Sequence, residues 1–100
     1  MDYILTDHAR KRMVERSISK SALENALRSP SKVLYDDADR LLIKKLYKNR
    51  NKARLLIIIG ETSGNKFKII TVIETSKIKK YLWTKTKLKF HMTVKVRFFH

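Results

Sequence analysis

The sequence predicts an α+β fold: two N-terminal helices packed on a twisted, mostly antiparallel sheet of about four to five strands. Three observations carry that expectation. Apolar residues between positions 6 and 28 recur at helical spacing, in two stretches parted by a short polar break. After Pro30 the period shortens to that of strands. The strand-like stretches are separated by short polar or Gly-containing turns of the kind that close hairpins. Helices followed by a run of strands is the element order of an α+β domain.

The first helix is expected from Thr6 to Arg16. Thr6 or Asp7 can cap it, because a short side-chain oxygen accepts from free backbone N–H groups. Ala9 and Met13, four apart, form a narrow apolar stripe. Ser17 and Ile18 break the pattern. Ser19 or Ser21 can cap the second helix, and Ser21 with Glu24 has capping-box spacing. Leu23, Ala26 and Leu27 supply its apolar face, and Pro30 ends it by disfavouring helical geometry at Ser29.

A short strand is expected at 32–35 ("KVLY"), then an Asp-rich turn, "DDAD", at 36–39, then a strand at 40–47 ("RLLIKKLY") whose imperfect alternation leaves a helix open. A basic turn at 48–52 leads to "ARLLIII" (53–59), which has no polar alternation and so reads as a central strand buried on both faces. Residues 60–66 read as a hairpin loop in which Gly60 and Gly64 can take positive φ. "FKIITVI" (67–73) is a β-branched strand. Strict alternation sets Phe67, Ile69, Thr71 and Ile73 on one face. Residues 74–83 form a turn or short helix. From Lys87 to Phe98 apolar and basic residues alternate almost without fault, which predicts a long strand with a basic outer face.

One hundred residues make one domain, here 1–100 with a basic C-terminal extension at 82–100. The longest apolar run, "LLIII", is far short of a membrane span. The acidic start "MDYILTD" lacks the basic opening of a secretory signal, and the chain has no Cys, so the expected location is cytoplasmic. No cofactor is expected. "DDAD" reads as solvated acids rather than a metal site.

The formal net charge is +15, and its placement is uneven. Residues 1–39 carry seven Lys/Arg and seven Asp/Glu; residues 40–100 carry seventeen and two, the two being Glu61 and Glu74. So one-sided a field draws polyanions and releases their counterions. Nucleic acid is the expected partner, with an acidic protein second.

His8, Arg12 and Arg16 stand at i, i+4 and i+8, one ridge of the first helix. Three such groups in a row repel one another, and an anion between them gives the spacing a purpose. The plainer reading is a solvated face with an Arg–Glu pair to Glu15.

"HARKRMVERSIS" resembles the opening of an uncharacterised, domain-of-unknown-function family of small bacterial and archaeal proteins. Its members begin His-x-x-x-Arg-Met-x-x-Arg-Gly-Ile-Ser, and His8, Arg12, Met13, Arg16, Ile18 and Ser19 match. Pro30 matches the helix breaker, and "IITVI" with Thr71 the closing strand. The likeness covers about residues 4–75. Ser17 stands where that family usually has Gly, so a left-handed helix terminus costs more here. The family is similar in turn to RelE-, ParE- and BrnT-type toxins, two helices against a twisted antiparallel sheet. Many of these cleave RNA, often messenger RNA on ribosomes, without a metal, and an antitoxin holds them inactive.

The resemblance implies a toxin-like, metal-independent endoribonuclease neutralised by an acidic antitoxin-like partner. His8 would be general acid or base, Arg12 and Arg16 the phosphate clamps, and Thr71 an orienting hydroxyl. Tyr81 and Lys80 would close the site. Thr71 is equally a good strand former, and Tyr81 a core or rim aromatic. Lys44, Lys45, Arg50, Arg54 and Lys68, with Lys80, are expected as nonspecific nucleic-acid contacts. The alternatives are a non-catalytic basic nucleic-acid-binding module, or a ParE-like toxin that binds a protein target.

Overall fold

The computed structural model describes residues 2–35, 40–82 and 97–98. Thr6 begins the first helix as expected: its Oγ1 accepts from the Ala9 N–H at 3.1 Å, and helix α1 runs Asp7–Glu15. At the other end, Ser17 N–H donates to Val14 O at 3.2 Å and Ile18 N–H to Met13 O at 2.9 Å. That crossed pair is a Schellman terminus, with Ser17 at φ 54° in the left-handed region and Ile18 and Met13 both buried. Helix α2, Lys20–Arg28, is capped by Ser19, not Ser21. Glu24 does not close a capping box; its carboxylate accepts from the Tyr3 hydroxyl at 2.9 Å.

Strand β1, Tyr3–Leu5, precedes α1 and has no counterpart among the expected elements; it pairs parallel with β5, Lys66–Thr75. Three residues show too little periodicity to read, and the partner is more than sixty residues away. Between them come β2 (Lys32–Tyr35), β3 (Leu41–Asn49) and β4 (Lys52–Ser63), paired antiparallel in sequence. These five make a mixed sheet in the order β1-β5-β4-β3-β2; helix α3 (Ile78–Leu82) follows, and the two-residue β6 (Arg97–Phe98) pairs with the outer edge of β2. The "DDAD" turn and most of the long strand expected at 87–98 lie outside the described residues.

Both internal hairpins are tighter than the sequence suggests. Arg50 and Asn51 (φ 55° and 64°) form a two-residue turn with both centres at positive φ, as the strand twist favours. At the other hairpin, strand pairing runs to Ser63↔Lys66, so only Gly64 and Asn65 turn, with Gly64 at φ 61°.

The sheet is buried on both faces. Ala9, Met13, Ile18, Leu23 and Ala26 of the helical layer pack on Ile43, Leu56, Ile58, Phe67, Ile69 and Val72. On the reverse face Leu34, Leu42, Leu55, Ile57 and Ile59 form a second cluster, with Ile73, Ile78, Tyr81 and Leu82 against it. Leu55 to Ile59 are fully inaccessible, as expected for the unalternating central strand.

A β-bulge corrects the expected faces of β5. Ile59 pairs with Thr71 but Gly60 pairs with Ile69, so Ile70 is the extra residue. Strict alternation fails there. Phe67 and Ile69 keep company with Val72 on the helical side, while Ile73 joins the reverse cluster. Gly60 sits inside β4, not in a loop, for a steric reason: a Cβ there would lie 2.5 Å from both the Lys68 carbonyl oxygen and Phe67 Cζ.

Candidate active site

The bulge and the short β1 together open a cavity. β1 stops pairing at Leu5↔Ile69, so among the described residues no strand flanks the outer edge of β5 beyond that point. Helix α1 packs there instead, Ala9 and Met13 turned into the core. One position before each on the helix stand His8 and Arg12, and the ridge continues to Arg16. These three line a pocket of about 240 Å³ with Ile57, Thr71–Thr75, Lys77 and Tyr81. Since α1 packs on one face of the sheet and α3 on the other, the pocket straddles the edge of β5.

All five residues singled out from the sequence as a catalytic set, His8, Arg12, Arg16, Thr71 and Tyr81, therefore border one cavity. His8, Arg12 and Arg16 are exposed, Thr71 is buried, and Tyr81 is half-buried. Arg12 leans on Glu15 at 3.7 Å, a solvated pair that restrains it little. Thr71 reaches the pocket because the bulge places it opposite Ile59 rather than in line with Ile69.

The six cations expected to bind nucleic acid do not line this pocket; Lys77 does. Lys44 is a correction. It alternates onto the reverse face, where it is only 2% exposed, and its Nζ donates to the carbonyl oxygens of Tyr81 and Leu82, the latter at 3.4 Å. Burial, then the neighbouring Lys32 charge, pull its ammonium down to about 8. A group so enclosed holds α3 rather than meeting an external phosphate. Lys45 is spent in part on the Ser29 carbonyl (2.6 Å), Arg50 on Ser17 Oγ (2.6 Å), and Arg54 on Glu74 (3.5 Å). Lys68 is exposed on β5 opposite Glu61. Lys80 Nζ sits 5.3 Å from the centre of the Tyr81 ring, a cation–π distance.

Sequence reasoning missed Glu74 and its partners. Glu74 lines the pocket at the end of β5, and its Oε2 accepts from the Tyr47 hydroxyl and from Asn49 Nδ2 at 2.7 Å. Burial, and then the bond to Glu74, push the Tyr47 phenol well above its usual range. Asn49 Nδ2 also lies 3.4 Å from the Arg16 carbonyl oxygen. The β3–β4 hairpin thus holds the C-terminal end of α1 through Asn49 and Arg50, and holds Glu74 through Tyr47 and Asn49. The one legible signal was that Glu74 is one of only two acids after residue 39.

Among the described residues, no group of three or more His, Asp or Glu side chains gathers to hold a metal ion. No helix of the described residues is long and apolar enough to cross a membrane. A family model described as a domain of unknown function, DUF4258, matches residues 5–74, from the end of β1 through the pocket-lining Glu74. No curated protein and no solved structure matches the chain.

Proposed function

The chain belongs to the DUF4258 family, and on that premise we propose that it is a toxin-like, metal-independent endoribonuclease whose active site is the pocket at the edge of β5. One observation carries the reading: an imidazole, two guanidinium groups, a buried threonine and a tyrosine border the same cavity. Kinship with RelE-, ParE- and BrnT-type toxins, and neutralisation by an acidic antitoxin-like partner, are part of this proposal.

The reaction is a transesterification. The ribose 2′-oxygen loses its proton and bonds to the adjacent phosphorus; the bond from phosphorus to the 5′-oxygen breaks, and that oxygen takes up a proton. The products are a 2′,3′-cyclic phosphate and a 5′-hydroxyl. Negative charge builds on the non-bridging oxygens, where Arg12 and Arg16 offer forked donors. An imidazole serves either proton step near neutral pH, and His8 takes that role, with Thr71 orienting the substrate from the sheet. Tyr81 forms the far wall.

The test is incubation of RNA, free and on programmed ribosomes, in EDTA. Wild-type protein is expected to leave cyclic-phosphate ends, and His8→Ala to bind RNA without cutting it. RNA left intact by the wild type in both settings overturns the enzyme reading. That result favours the second one, a non-catalytic RNA-binding module, which the charge excess in residues 40–100 also supports. A ParE-like protein target is the remaining alternative, read out by capture of a protein rather than of RNA.

A further inference from the structure

Glu74 is out of place in a pocket built for phosphate. Four of the other lining residues, His8, Arg12, Arg16 and Lys77, are cationic or can become so, and a carboxylate among them weakens their hold on an anion. Its two oxygens are not equivalent. Oε2 is saturated by Tyr47 and Asn49. Among the described residues Oε1 makes no hydrogen bond: its nearest partner is Arg54 Nε at 3.5 Å, an ion pair without hydrogen-bond geometry. Among those same residues no buried side-chain oxygen or nitrogen lacks a hydrogen-bond partner. Oε1 is therefore reached by solvent, although the Glu74 side chain as a whole is only 12% exposed, and the pocket is the space Glu74 borders. A carboxylate accepts about four hydrogen bonds, so Oε1 has capacity to spare.

We propose that Glu74 reads ribose: its Oε1 accepts a hydrogen bond from the 2′-hydroxyl of a ribonucleotide whose neighbouring phosphate lies against Arg12 and Arg16. This rests on the reading of the pocket as an RNA phosphate site. A ligand that satisfies both walls must carry an anion and a hydrogen-bond donor side by side. The 3′-phosphate and 2′-hydroxyl of a ribonucleotide are such a pair. A deoxyribonucleotide brings the anion and leaves the carboxylate facing it with nothing between. Tyr47, Asn49 and Arg54 fix the carboxylate in advance, so the acceptor costs little to place.

Calorimetric titration with inorganic phosphate, 3′-adenosine monophosphate and its 2′-deoxy analogue tests the inference, since none of these can be cleaved. Wild-type protein is expected to bind all three, the ribonucleotide about tenfold or more above the deoxy form, as for a hydrogen bond to a charged group. In Glu74→Gln the amide oxygen must face the Tyr47 and Asn49 donors, which turns the NH2 group toward the pocket. The 2′-hydroxyl then meets a neutral donor in place of a charged acceptor, so the ratio falls several-fold while phosphate binding persists, and an unchanged ratio overturns the inference. Phosphate binding with equal wild-type affinity for the two nucleotides overturns this inference and leaves the proposed function standing. Failure to bind any of the three overturns both. If Glu74→Gln does not fold, the 2′-fluoro analogue decides with wild-type protein: fluorine cannot donate, so it must bind like the deoxy form, and binding like the ribo form overturns the proposal.

Discussion

The Thr6 hydroxyl donates to the Ile70 carbonyl oxygen at 2.9 Å, at the residue the β-bulge leaves without a β4 partner. The same Oγ1 accepts from Ala9 N–H. One side chain therefore caps α1 and ties its first turn to the irregular point of β5, which sets the pocket's two walls against each other. Thr6→Val loses both bonds with little change of shape. It is expected to destabilise the fold by about 1–2 kcal/mol in urea denaturation, and Thr6→Ser to recover most of that.

Gly60→Ala tests the bulge. An added methyl meets the Lys68 carbonyl and the Phe67 ring at 2.5 Å, and neither can retreat, because one is strand backbone and the other is core. A loss of roughly 2 kcal/mol or more is expected, read as a lowered midpoint of thermal unfolding.

Ser17→Gly has the opposite sign. Ser17 holds φ 54° at the end of α1, a conformation that costs a non-glycine residue about 1 kcal/mol. Its bond to Arg50 is exposed, so its loss offsets little. The variant is expected to unfold at higher denaturant than wild type.

Lys44 makes stability depend on alkaline pH. Its folded pKa is about 8 against 10.5 unfolded, so between those values the unfolded chain binds more protons and stability rises with pH. The gain is present above 10.5 and is lost as pH falls through 8. It amounts to on the order of 1–3 kcal/mol. Tyr47, and more weakly Tyr3, are shifted up; their contribution is full below pH 10 and fades above it. Denaturation at pH 8, 9 and 10 should show the rise, and Lys44→Met should flatten it.

Arg12→Ala and Arg16→Ala are each expected to weaken RNA binding across all sequences. Each should also reduce the salt slope of log K by about 0.7 for every phosphate that is no longer neutralised. Lys44→Met should leave that slope unchanged, because a cation 2% exposed releases no counterion from RNA.

Most elements were legible from local chemistry. The caps at Thr6 and Ser19, the breaker at Pro30 and the unalternating run Leu55–Ile59 act over a few residues, and each element formed where they placed it. The ridge of His8, Arg12 and Arg16 was legible for the same reason, since helical spacing alone puts them in a row. Parallel pairing of Tyr3 with Phe67 was not, because it joins segments whose separation leaves no trace in any short window.

The sequence by itself determined the helices, the strand-rich second half, the basic charge and the residues of one pocket wall. The tertiary structure alone decided what that wall faces. One extra residue in β5, at a bulge whose close backbone approach only a glycine at position 60 tolerates, turns Thr71 and Ile73 to the reverse face and brings Glu74 to the cavity. The same pleat buried Lys44 beneath α3 and removed it from the surface. Side-chain direction in a strand depends on register with its neighbours, and register is a property of the assembled sheet.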